Sequence, residues 1–200
     1  MSLKTILGSY NVQPSGSPPY VVMKLNNNLN SVINSVYNQY LIQQSAGFVC
    51  SFQIYASGSG DGLIFFVGAS DAVGQELCVS CAKGGVAVSF NIYPGWSSGS
   101  YSGAGIYLMN GAGTLVASAP FSANSAWESV TITYNRGVTN TWVVSWKGNV
   151  VITYSDPTNP RWVPYAGNYW GIGAFSGGAG AIFKIQQVSL SAVPTPLPGI

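Results

Sequence analysis

Few side chains in this chain can do chemistry. The carboxylates are Asp61, Asp71, Glu76, Glu128 and Asp156, the thiols are Cys50, Cys78 and Cys81, and histidine is absent. Without imidazole there is no Ser-His-Asp or Cys-His nucleophile, no histidine-bearing zinc site and no imidazole acid or base. Three cysteines cannot form a four-thiolate zinc centre in one chain, and an odd count leaves one thiol over unless it bonds between chains. Cys78-Val-Ser-Cys81 has redox spacing, but no strand-to-helix context surrounds it. The preferred reading is a disulfide from Cys50 to Cys78 or Cys81. The alternatives are a small core residue at Cys50, or a local Cys78–Cys81 bond. All three are structural.

Aromatic and small polar residues offer a different chemistry. Tyr93, Trp96 and Tyr101 lie in or beside one loop rich in serine and glycine. Flat rings match the apolar faces of sugars while amides and hydroxyls satisfy the edges. A second reading folds Trp96 and Tyr101 back over the rim of a sheet. Asp61 sits in Gly60-Asp61-Gly62, where a carboxylate could accept two hydroxyl hydrogens or could simply turn the chain into a strand.

The elements that position these residues are strands. The chain has 200 residues, 47% hydrophobic but only 6% charged, against about 25% charged in ordinary soluble proteins. That hydrophobicity and a net charge of +2 exclude disorder, and the scarcity of charge excludes a coiled coil. No lysine or arginine run exists to follow a phosphate backbone, so nucleic acid is excluded as a partner. The longest apolar run, Leu63 to Val67, is strand-sized, so no membrane insertion of this segment is expected. Met1 to Leu7 lacks the apolar core of a signal peptide.

Period-two alternation runs along the chain. Phe48, Cys50, Phe52 and Ile54 alternate with Val49, Ser51, Gln53 and Tyr55. Val86, Val88, Phe90 and Ile92 alternate with Ala87, Ser89, Asn91 and Tyr93, which predicts a strand with one face in the core. Leu63 to Val67 is apolar on both faces and reads as a central strand. Asn110-Gly111 predicts a hairpin between 105–110 and 114–119, and Lys147-Gly148-Asn149 predicts another. Residues 31–40 read as strand and loop rather than helix, because asparagine is a poor helix former. The expected organisation is an N-terminal strand or extension over 1–20, one sandwich domain over 21–191, and a proline-rich tail or linker over 192–200.

Several of these strands resemble those of the L-type (legume-like, concanavalin A-like) lectins. Gly60-Asp61-Gly62-Leu63-Ile64-Phe65-Phe66-Val67 is similar to the family's Ala-Asp-Gly-Leu-Ala-Phe-Phe-Leu strand. Val86-Ala87-Val88-Ser89-Phe90-Asn91-Ile92-Tyr93-Pro94 resembles its Val-Ala-Val-Glu-Phe-Asp-Thr-Tyr-Pro strand. Ser100-Tyr101 with Gly105-Ile106, 130–135, 172–178 and 183–190 follow in the family's order, so the resemblance covers about residues 46–191. It implies an all-β fold, a concanavalin A-like jelly-roll sandwich of two antiparallel sheets. It also implies a sugar site at Asp61, Gly62, Tyr93 and the Ser176-Gly177-Gly178 loop, with Trp96 and Tyr101 beside it.

The family's metals do not carry over. Its acidic ligands correspond to Ser89, Asn91 and Ser98, its metal-binding histidine to Gly103, and its sugar-contacting asparagine to Gly95. Hard cations need several oxygens, some of them anionic, so the resemblance implies neither metal nor cofactor here. Glycosidases of the same sandwich use two carboxyls across a cleft, and their Glu-x-Asp-x-x-Glu pattern is absent. An acid peptidase on this fold would pair Gln53 with Glu76 or Glu128. The expected function is non-catalytic recognition of a glycan or glycoconjugate in an extracellular, cell-surface or virion-surface setting. The rival expectation is a structural protein of a virion or surface layer that self-associates or packs against other surface proteins.

Overall fold

The computed structural model describes residues 4–5, 11–13, 22–24, 32–39, 47–60, 62–68, 86–98, 100–109, 114–135, 140–156, 169–176 and 181–193. In chain order the strands are β1 (Lys4–Thr5), β2 (Asn11–Gln13), β3 (Val22–Lys24), β4 (Val32–Gln39), β5 (Gly47–Gly58) and β6 (Gly62–Gly68). They continue with β7 (Val86–Asn91), β8 (Ser97–Ser98), β9 (Tyr101–Ser102), β10 (Gly105–Met109) and β11 (Leu115–Pro120). The last are β12 (Trp127–Asn135), β13 (Asn140–Trp146), β14 (Asn149–Asp156), β15 (Tyr169–Ser176) and β16 (Ala181–Val193). Among the described residues no helix is long and apolar enough to cross a membrane.

Two antiparallel sheets carry the fold. The seven-stranded sheet runs β1-β4-β15-β6-β7-β10-β11 and the five-stranded sheet β14-β13-β12-β5-β16. Small pairs β2-β3 and β8-β9 complete it. This is the expected jelly-roll sandwich, with residues 32–39 a strand and Leu63 to Val67 at the centre of the larger sheet. β10 and β11 form the expected hairpin, although Asn110 and Gly111 lie outside the described residues. The β13–β14 turn has positive φ at Lys147 (55°) and Gly148 (77°), the backbone that a two-residue hairpin needs to match strand twist.

The core lies between the sheets. Phe48, Cys50, Phe52, Ile54 and Ala56 of β5 face Leu63, Phe65, Val67, Val88 and Phe90 of β6 and β7, all buried. Two aromatic ladders cross the gap. Phe48 lies 5.6 Å from Trp142, 5.8 Å from Tyr134 and 6.1 Å from Phe65. Toward the other end Phe52, Phe90, Phe121 and Trp146 follow at successive centroid distances of 6.1, 5.6 and 5.2 Å, each ring edge-on to the next. Such pairs add about 0.5–1.5 kcal/mol each beyond their buried area.

Two sequence readings need correction. β7 is buried on both faces, so Ala87, Ser89 and Asn91 do not face solvent. Ile64, Phe66, Tyr107 and Met109 bury themselves on that same far face of the seven-stranded sheet. The preferred Cys50 disulfide is also absent. Its thiol is free and fully buried, because the inward face of β5 places the sulfur in the layer between the sheets. Cys78 and Cys81 lie outside the described residues.

Candidate functional site

Antiparallel register brings four strand ends to one end of the seven-stranded sheet. Gly62 at the start of β6 pairs with Asn91 at the end of β7, and Asn91 pairs on its other side with Gly105 at the start of β10. Phe175, one residue before the end of β15, pairs with Gly62. Asp61 directly precedes Gly62 and Gly177 directly follows Ser176, so their neighbours in the chain sit at that same end. Asp61, Gly177 and Gly178 themselves lie outside the described residues, and Ser176 is placed only by its pairing with Val32.

Between β7 and β10 the chain folds over this end, through the β8–β9 pairing of Ser97 with Ser102 and Ser98 with Tyr101. Two side chains hold it. The Asn91 carboxamide, only 1% exposed, donates from Nδ2 to the carbonyls of Gly103 (2.8 Å) and Tyr93 (3.2 Å), and its Oδ1 accepts the Tyr93 N–H (3.1 Å). Amide orientation follows from those partners, since two carbonyls require the NH2 group and one N–H requires the oxygen. The Tyr107 hydroxyl donates to the Gly103 (2.8 Å) and Ser102 (3.0 Å) carbonyls. Burial pushes the Tyr107 phenol up, which keeps it a donor. Gly103 closes the set: its N–H donates to the Trp96 carbonyl at 2.7 Å, and its φ of +83° suits glycine.

The rings settle around Tyr107. Trp96 lies 4.6 Å from it at 53° and Tyr101 meets it edge-on at 6.1 Å, so both are half-buried against the sheet. That is the covering arrangement of the two read from the sequence. Tyr93 stays 39% exposed, arched over Gly95, where an added Cβ would come within 2.8 Å of the tyrosine oxygen. The family's asparagine at that position could not share the space with this tyrosine pose. Tyr93 therefore offers the open ring of the three.

A metal does not fit this arrangement. Asn91 turns hydrogens, not lone pairs, toward the two carbonyls that converge here, and Ser89 is neutral and buried. Among the described residues no group of three His, Cys, Asp or Glu side chains could hold an ion. Nor does the peptidase pairing of Gln53 with Glu128 form. Register sets Gln53 opposite Ser129 on the outer face of the five-stranded sheet, whereas Glu128 pairs with Ile54 on the inner-face parity. Gln53 accepts a hydrogen bond from Gln186 (2.6 Å), and Glu128 is bound by Lys147 at 2.9 Å and by Asn124.

Sequence reasoning counted Asn91 only as a lost ligand and missed Tyr107. The available signal was the alternation of 105–109, which puts Tyr107 on the same face as Ser89, its register partner.

No protein-family model matches the chain, and no curated protein matches it in sequence. Its fold does match solved structures. The exoplasmic/lumenal domain of VIP36, in a Ca2+/Man3GlcNAc-bound form, superposes with a TM-score of 0.68 at 16% identity, over 98% of this chain and 85% of that one. A lectin from Bauhinia forficata in complex with GalNAc gives 0.70 at 14% identity, over 96% and 93%. Peanut lectin gives 0.65 at 18%, over 96% and 93%. At these identities the likeness establishes the fold, a concanavalin A-like jelly-roll sandwich.

Proposed function

We propose that this domain is a non-catalytic, metal-independent carbohydrate-recognition module of an extracellular, cell or virion surface. The observation that carries the reading is the convergence of strand ends. One end of the seven-stranded sheet gathers Gly62, Tyr93, Trp96, Tyr101 and Ser176, and the chain runs from it directly into Asp61 and Gly177-Gly178. In this reading Asp61 accepts sugar hydroxyls, the glycine amides donate to ring oxygens, and the exposed Tyr93 ring, with Trp96 and Tyr101 in the same loop, takes an apolar sugar face. The fold shared with sugar-bound lectins supports the same ligand class.

The test is a broad glycan array probed with the purified domain, with and without EDTA. Binding that survives EDTA and disappears in Asp61→Ala and Tyr93→Ala, at unchanged thermal stability, is the expected result. Loss of binding on chelation, or binding indifferent to both substitutions, refutes it.

A second reading, assembly into a surface layer or virion, rests on the outer face of the five-stranded sheet. Val49, Ser51, Gln53, Thr131, Thr133, Val143 and Ser145 make it nearly charge-free, with Lys184 its one charge among the described residues. Silence across the array with concentration-dependent sedimentation favours that reading.

A further inference from the structure

Three of the four positions at which this chain departs from the metal ligands of the L-type lectin pattern are not scattered losses. Ser89, Asn91 and Gly103 meet around one side chain, Tyr107. In register, Tyr107 lies beside Ser89 and Asn91 lies beside Gly105, all on the far face of the seven-stranded sheet. The Tyr107 ring leans along its own strand over Gly105, where a Cβ would come within 2.8 Å of the ring and 2.9 Å of its oxygen. A small residue at 89 and none at 105 give the ring its room. From there its hydroxyl reaches the Gly103 carbonyl that Asn91 also holds.

We propose that the Asn91 carboxamide takes the place of a loop-holding cation, with Tyr107 as a second clamp, so that the described residues of the 92–104 segment are held in place without an ion. A cation would gather the Tyr93 and Gly103 carbonyl oxygens through their lone pairs. The NH2 group of Asn91 gathers the same two oxygens with its two hydrogens, and its own oxygen accepts the Tyr93 N–H. Both amide hydrogens are used on those oxygens, so the side chain turns donors rather than lone pairs toward the point where an ion would sit. Asn91 and Tyr107 are thus positioning residues for the loop that carries Tyr93, Trp96 and Tyr101. The lock does not depend on glycan binding, and its test reads the loop directly.

Amide exchange by NMR reports it. The Tyr93 N–H is protected by the Asn91 side chain itself, and the Gly103 N–H by the Trp96 carbonyl. In the wild-type chain both should exchange at the same rate in EDTA and in 10 mM calcium chloride; faster exchange on chelation overturns the proposal. Asn91→Asp points a carboxylate at the two carbonyls, and in EDTA both amides should exchange about ten- to a hundredfold faster while β12 and β13 are unchanged. Calcium chloride should then slow them again in this variant alone, since the carboxylate and two carbonyls now offer an ion three oxygens. A merely structural asparagine would show no calcium rescue, and its absence overturns the substitution of amide for cation. Should Asn91→Asp not fold, Tyr107→Phe removes one hydroxyl from the same lock. It should speed Gly103 exchange several-fold with no response to calcium, and unchanged exchange there refutes the clamp.

Discussion

Replacing Cys50 by alanine separates two accounts of this core by size of effect. Cys50 is fully buried on the inward face of β5, with Phe48 and Phe52 two residues to either side and Ile132 and Leu190 as its register partners. For a free thiol, deleting the sulfur removes about 1 kcal/mol of apolar transfer. The void left, roughly 20 Å3 at about 24 cal/mol per Å3, adds about 0.5 kcal/mol. The sum is about 1.5 kcal/mol, or a fall of about 3–6 °C in Tm for a domain of this size. A disulfide from Cys50 to Cys78 or Cys81 would instead close a loop of about 30 residues, worth about 3.6 kcal/mol, and its loss would lower Tm by about 7–14 °C. Urea unfolding and calorimetry of Cys50→Ala therefore decide between them. Burial pushes the Cys50 thiol far up, so in a Cys78→Ser/Cys81→Ser background a thiol reagent should find nothing in the native state and one thiol in urea. A drop beyond about 3 kcal/mol in Cys50→Ala, or native-state labelling in that background, would refute the dry-core account.

Two further outcomes follow from the same geometry. Desolvation pushes the Glu128 carboxyl up, but the hydrogen bonds from Lys147 and Asn124 and the lysine's charge outweigh it and hold the carboxyl below its ordinary value. Its stabilisation is thus present above the unfolded-state pKa and lost as pH falls through the folded one. Glu128→Gln should cost roughly 0.2–1 kcal/mol at pH 7, and the gap in urea midpoint should close toward pH 3; a gap constant with pH refutes this. Gly62→Ala sets a Cβ 2.8 Å from the Phe90 carbonyl oxygen and 3.2 Å from the Asn91 Cα, both backbone atoms that cannot swing aside. It should cost about 1–3 kcal/mol and speed Tyr93 amide exchange, whereas a variant as stable as the wild type would mean that the β6–β7 pair spreads freely.

Alternation carried most of the fold because a strand with one buried face writes that face into every second residue. β5 shows it residue by residue, and β6, apolar on both faces, announced its central place. β7 departs from this rule. Ser89 and Asn91 are polar and read as solvent-facing, yet both are buried, since alternation says nothing of what lies above a sheet's far face. What lies above Asn91 is the loop between β7 and β10, whose path depends on side-chain hydrogen bonds from Asn91 and Tyr107 that alternation does not encode. Cys50 turned on the same alternation: it shares the inward face of Phe48 and Phe52, which supports the core alternative over the bond that the odd cysteine count permits.

Asn91 shows the limit of scoring a site by its missing ligands. Compared position by position with a metal-binding pattern, an asparagine for an aspartate is a deletion of charge. In three dimensions the same substitution exchanges an acceptor for two donors, at a place where two backbone carbonyls already converge. Carbonyl oxygens brought together repel unless donors or a cation lie between them, so a loop held without an ion needs donors at this point. Asn91 supplies two and Tyr107 a third, while Gly105 and Ser89 give the ring room. The neutral side chains at this sheet end therefore belong together. A single reversion to carboxylate should unsettle the loop rather than restore a site, until an ion is supplied.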